Sequence, residues 1–156
     1  MTYTVAILGA GAWGGALARL AQQQGHEVKL WSRSSSQSLA DAVAGADVVL
    51  SAISMKGVAQ TIARLQEIAL PPHTILVTAT KGLDAATACT PSQIWQAAFP
   101  DRSIVVLSGP NLSQEIELGL PAATIAASHN LEAATTIQTS FSSDILRVYT
   151  KTDPLG

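Results

Sequence analysis

Short apolar runs alternate along the chain with amphipathic stretches, and Gly, Pro or a polar turn bounds each run. Thr4–Leu8, Val28–Trp31, Asp47–Ile53, Thr74–Ala79, Ile104–Leu107, Ala122–Ala127 and Ile145–Tyr149 have strand length and are rich in Val, Ile, Leu and Ala. Runs that are continuous rather than alternating belong to strands buried on both faces. Between them the pattern predicts helices over about Ala12–Gln24, Leu39–Ala44, Val58–Ala69, Pro91–Ala98, Asn111–Leu118 and Leu131–Phe141. Gly25, Gly45, Pro71-Pro72, Phe99-Pro100 and Gly119 stand where these helices should stop. Strands alternating with helices predict βαβ units, hence a mostly parallel sheet covered on both faces. There is no internal repeat and no long linker, so one domain over residues 1–156 is expected.

Composition narrows the class. The chain of 156 residues is 47% hydrophobic and only 13% charged. No uninterrupted apolar run reaches the roughly 18 residues of a membrane span, so buried strands account for the excess. A net charge of −2 gives no reason to expect nucleic acid or an anionic membrane surface. The single cysteine, Cys89, excludes an internal disulfide and fits a reducing compartment. His26, His73 and His129 are scattered without a second ligand at metal-site spacing, so no metal is expected. No basic region followed by an apolar stretch and cleavage site opens the chain, and a cytoplasmic location is expected.

The first strand ends in GAGAWGG, with Gly9, Gly11 and Gly14 spaced G-x-G-x-x-G at a strand-to-helix junction inside one βαβ unit. Gly9 permits the tight turn, Gly11 lets the backbone approach a pyrophosphate, and Gly14 lets helix and strand pack closely. The free N–H groups at the helix start, from Ala12 onward, then face the phosphates. The expected fold is therefore a Rossmann-like, doubly wound sheet that binds a dinucleotide. Trp13 has two placements, in the core or lining the cofactor channel; its position beside the phosphate loop favours the channel.

The second strand ends in Trp31-Ser32-Arg33, where NAD-specific sites usually carry a carboxylate for the ribose 2′-hydroxyl. A guanidinium cannot accept from a hydroxyl but can clamp a 2′-phosphate, with Ser32, Ser34 and Ser35 as further donors. NADP(H) is the expected cofactor, with NAD(H) as the alternative. The other reading of Arg33 is an exposed charge in a polar turn.

GAGAWGGALA, LWSR, GADVVLSAIS, TKGLD and SGPNLSQEI-x-x-GLP follow one another in an order that resembles bacterial NAD(P)-dependent glycerol-3-phosphate dehydrogenases. The resemblance implies reversible hydride transfer between NAD(P)H and dihydroxyacetone phosphate, giving sn-glycerol 3-phosphate for phospholipid synthesis. It implies that Trp13, Arg33 and Ser113 bind cofactor, that Lys81 touches both cofactor and substrate, and that Gly109 and Asn111 touch substrate. Independently, Lys81 follows a buried strand at the edge where such sheets bind ligands, where its ammonium would polarise a carbonyl oxygen or bind phosphate. Otherwise it is a solvated loop lysine. Asn111 also reads as an N-cap, with Gln114 completing a capping box. Ser54, Met55 and Lys56 lie on the same edge, and Lys56 also reads as a surface charge.

Two departures from that family stand out. Only 13 residues separate Arg33 from Asp47, which leaves room for one short helix and predicts that the edge strand beyond the second is missing. The resemblance also implies a following helical substrate domain that supplies a general-base lysine, and Lys151 does not match its motif. The expectation is cofactor binding with little or no turnover by this stretch. Hydride transfer needs a proton donor at the developing alkoxide, and only Lys81 is offered. The residues leave open another NADP-dependent hydroxyacid or imine-reducing dehydrogenase, and a non-catalytic NADP(H)-binding sensor. A homodimer is compatible with all of these.

Overall fold

The structure is a computed structural model that describes residues 2–109 and 113–155. In chain order it runs β1 (Thr4–Leu8), α1 (Ala12–Gln23), β2 (Glu27–Trp31), α2 (Leu39–Val43), β3 (Val48–Ser51), α3 (Met55–Gln66) and β4 (Ile75–Thr78). There follow α4 (Pro91–Ala98), β5 (Ile104–Ser108), α5 (Ser113–Glu117), β6 (Ala122–Ala127), α6 (Leu131–Phe141) and β7 (Leu146–Lys151). The strands form one sheet in the order β2-β1-β3-β4-β5-β6-β7. Every neighbouring pair is parallel except β5 and β6. This is the mostly parallel, doubly wound sheet expected from the continuous apolar runs.

Both faces of the sheet are covered, each by its own apolar cluster. Val5, Ile7, Val48, Leu50 and Val105 join Leu17 and Leu20 of α1 and Ile137 and Phe141 of α6. Ala6, Leu8, Val49 and Leu76 face the other way, against Val43 of α2, Val58, Ile62 and Leu65 of α3 and Trp95 of α4. Alternate residues of β1 and β3 thus serve opposite cores, which is why neither strand shows an apolar–polar alternation.

β2 is the sheet's edge, and the short α2 alone lies between it and β3. The predicted loss of a further edge strand is therefore met. The start of α3 differs from the expectation. It begins at Met55 rather than Val58, because Ser54, past Ala52 and Ile53 at the end of β3, adopts an extended N-cap conformation (φ −67°, ψ 156°). Its buried stripe starts only at Val58, so the first turn carries no periodic apolar signal. The helix ends at Gln66, with Glu67 as C-cap, before the prolines are reached. The expected start of α5 at Asn111 lies outside the described residues.

Among the described residues no helix is long and apolar enough to cross a membrane, and no group of His, Cys, Asp or Glu is placed to hold a metal.

Candidate functional site

The chain leaves β1 for one face of the sheet and β3 for the other, since α1 and α3 belong to opposite cores. Adjacent strands whose connections diverge open a crevice beyond their carboxyl ends. At that point lies a groove of about 290 Å³. Gly9 and Gly11 form its floor, Ser32 and Arg33 one rim, Ala52 to Ser54 its base beyond β3, and α3 the far wall. Its volume is near the lower end of the ~300–1,000 Å³ usual for ligand pockets. It would therefore hold part of a dinucleotide.

The three loop glycines are needed for different reasons. Gly9 has φ +115°, and a Cβ there would strike the Ala52 carbonyl. Its N–H donates to the Trp31 carbonyl at 2.7 Å, tying the loop to the end of β2. A Cβ on Gly14 would strike the carbonyl oxygen of Gly9, so the start of α1 can lie against the loop only without a side chain. A Cβ on Gly11 would meet nothing within 4 Å. Gly11 is where the backbone opens to the groove. It is also the N-cap of α1, where it offers no side-chain acceptor, and the first turn holds no acidic residue. The N–H groups from Ala12 onward are left for an external anion. These features fit a pyrophosphate.

The Arg33 turn is built to stay in place. Ser32 N–H donates to Ser35 Oγ at 2.9 Å, Ser35 N–H donates to the Ser32 carbonyl at 3.0 Å, and the Ser32 and Ser34 hydroxyls pair at 3.0 Å. Trp31, buried under the turn, donates its indole N–H to the Gln37 carbonyl at 3.0 Å. Arg33 itself is exposed and lines the groove. No carboxylate lines the groove among the described residues. This charge pattern suits a phosphate better than a bare ribose hydroxyl.

The structure thus brings Gly9, Gly11 and Arg33 together, with Ala12 and Gly14 adjoining at the head of α1. The other expected residues are placed differently. Trp13 is half-buried against the α1 core, its indole N–H has no hydrogen-bond partner, and it does not line the groove. Lys81 is exposed just past β4. Its loop is pinned to that after β3 by the Thr80 hydroxyl, which donates to the Ile53 carbonyl at 2.8 Å. Gly109 directly follows β5, and Ser113 opens α5. All three lie at the carboxyl end of the sheet but outside the groove lining. Asn111 is outside the described residues. Of the residues after β3, Ser54 lines the groove while Met55 and Lys56 do not.

Sequence reasoning missed the wall of α3. Gly57, Gln60, Thr61 and Arg64 form one stripe along the groove. The spacings of three and four residues could have revealed it as a single helical face. Arg64 carries its guanidinium carbon 5.0 Å from the centroid of the Trp31 ring.

A mostly parallel, doubly wound sheet with a glycine loop at its switch point defines the chain as a dinucleotide-binding domain of the Rossmann type. The family described as NAD-dependent glycerol-3-phosphate dehydrogenase N-terminus matches in two segments, residues 4–38 and 34–134, which meet in the turn after β2. The chain belongs to that family. It is 56% identical over 153 residues to a glycerol-3-phosphate dehydrogenase [NAD(P)+] of Nostoc sp., covering 98% of this chain and 50% of that one. It is 59% identical over 152 residues to the enzyme of the same name from Synechocystis sp., covering 97% and 48%. The crystal structure of glycerol-3-phosphate dehydrogenase from Coxiella burnetii shares the fold, with a TM-score of 0.89 at 24% identity, covering 97% of this chain and 54% of that one. The chain spans about half the length of the curated relatives it matches.

Proposed function

We propose that this chain is the cofactor-binding portion of an NAD(P)H-dependent glycerol-3-phosphate dehydrogenase, that it favours NADP(H), and that it acts in the cytoplasm. The observation that carries the cofactor reading is the groove itself: an open glycine loop, a helix N-terminus without a side-chain cap and Arg33, with no facing carboxylate among the described residues. Gly9, Gly11 and the N–H groups from Ala12 would hold the pyrophosphate, and Gly14 would keep α1 seated against the loop. Arg33 and Ser32 would hold the 2′-phosphate. When bound there, the cofactor would supply hydride for reduction of a ketone carbon, in the proposed reaction that of dihydroxyacetone phosphate.

Lys81, on its exposed loop, would set a positive charge against the carbonyl oxygen or the substrate phosphate, and Gly109 and Asn111 would border the substrate. Ser113, at the start of α5, would border the cofactor beyond the groove, and Trp13 would support the head of α1 from its place against the core rather than line the channel. Hydride transfer also needs a proton at the new alkoxide. The groove lining offers no carboxyl, imidazole or ammonium group for that step among the described residues. The groove accounts for binding, and turnover is proposed to draw its proton from outside it.

Titration of the chain with NADPH and NADH by calorimetry, repeated with Arg33→Ala, tests the reading. NADPH should bind more tightly than NADH. The variant should lose about 1.5–3 kcal/mol toward NADPH, roughly tenfold or more in affinity, and little toward NADH. Equal binding of both cofactors by the unaltered chain would reduce Arg33 to a surface residue.

A further inference from the structure

We propose that Arg64 is a second determinant of cofactor choice, binding the ribose 2′-phosphate from the α3 wall while Arg33 binds it from the turn. The proposal rests on the NADP(H) reading of the groove and adds a residue to it.

Arg33 and Arg64 are the two cations of the groove lining, and no carboxylate shares that lining among the described residues. Neither forms an ion pair among those residues. Two guanidinium groups facing one concavity without a counter-ion repel each other, and an anion between them removes that repulsion. A 2′-phosphate carries about two negative charges and three acceptor oxygens, enough for two guanidinium groups at once.

Arg64 is also held where such a group would be needed. Its guanidinium lies over the ring of Trp31, a residue only 4% exposed whose indole N–H donates to the Gln37 carbonyl. Trp31 is the last residue of β2 and immediately precedes the Ser32-Arg33 turn. The ring that supports Arg64 is thus joined by one residue to Arg33. A contact of this kind with a ring uses no N–H hydrogen bond, so the guanidinium keeps its donors for an anion. Arg64 sits in the last turn of α3, where a cation also complements the helix dipole. That role alone would give no preference between ligands that differ by one phosphate.

The test is calorimetric titration of the chain with 2′,5′-ADP and with 5′-AMP, which differ only in the phosphate at issue. Arg64→Met keeps an unbranched stem against Trp31 and removes the charge. It should weaken 2′,5′-ADP binding about tenfold or more and leave 5′-AMP within about twofold. Arg64→Lys, which keeps the charge but loses the planar fork, should lose part of the 2′,5′-ADP affinity and none for 5′-AMP. It serves equally if the methionine variant fails to fold. Equal weakening of both ligands, or no change in either, would overturn the proposal. If the unaltered chain does not prefer 2′,5′-ADP to 5′-AMP, the NADP(H) reading itself fails, which is a separately visible result.

Discussion

Gly14 and Gly15 are neighbours in the first turns of α1, and the same substitution at each should have opposite effects. At Gly15 an added Cβ meets nothing within 4 Å. Gly15→Ala should therefore show the plain helix-propensity gain of about 0.5–1 kcal/mol. That raises Tm by roughly 1–4 °C for a domain of this size. At Gly14 the new Cβ would overlap the Gly9 carbonyl oxygen, which is backbone. Gly9 has little room to yield, because it is fixed at φ +115° against Ala52 and donates to Trp31. Overpacking of this kind costs about 1–3 kcal/mol or more, against a propensity gain of about 1. The net expectation is a loss of up to about 2 kcal/mol, a Tm lower by up to roughly 8 °C. Because the displaced atom belongs to the proposed pyrophosphate-binding loop, NADPH affinity should fall as well, whereas Gly15→Ala should leave it unchanged. Thermal unfolding followed by circular dichroism, with and without NADPH, measures both effects. If Gly14→Ala stabilised the chain as much as Gly15→Ala, the close approach of helix and loop would not be what requires glycine there.

Two further outcomes concern the frame. Burial lowers the pKa of His26, a backbone hydrogen bond with Ser140 opposing it, and Nδ1 accepts from the Tyr3 N–H at 3.1 Å. The folded pKa lies below the unfolded value of about 6.5, so His26 supports the fold fully above that pH and less as pH falls through and below it. Urea unfolding at about pH 7.5 and about pH 5 should show that loss, and His26→Asn should flatten the part due to His26. Asp47 accepts from the Thr4 N–H at 2.8 Å and meets His73 Nε2 at 2.8 Å. Asp47→Ala should cost about 1–2 kcal/mol in the same assay by leaving the start of β1 without its acceptor. His73→Ala should cost well under 1, because His73 is exposed; equal losses would make the His73 contact, not the backbone bond, the important one.

Much of the frame was legible because its signals are local. Pro91–Ala98 was readable to the residue, and the structure explains why. Thr90 caps the helix, Gln93 closes a capping box and Pro91 occupies the first turn. Leu131–Phe141 was equally clear, with Asn130 accepting from the Glu132 and Ala133 N–H groups. The placement of the glycine loop and the Arg33 turn was legible for the same reason: each is a contiguous stretch whose shape depends on its own backbone. The α3 wall was not. Gln60, Thr61 and Arg64 are polar positions on an amphipathic helix, and such positions read as solvated surface until β1 and β2 are known to lie opposite. Nor does sequence alone decide between a core and a groove for an aromatic at a helix start. The core contact of Trp13 with the α1 layer depends on how that helix sits on the sheet.

The most direct test of the account is hydrogen–deuterium exchange on the chain with and without NADPH, read peptide by peptide. Protection should appear at residues 9–14, at 31–35 and along the groove face of α3, the three segments that meet in the groove. Protection confined to the opposite end of the sheet, around Gln93, His129 and Leu155, or no protection at all, would contradict it.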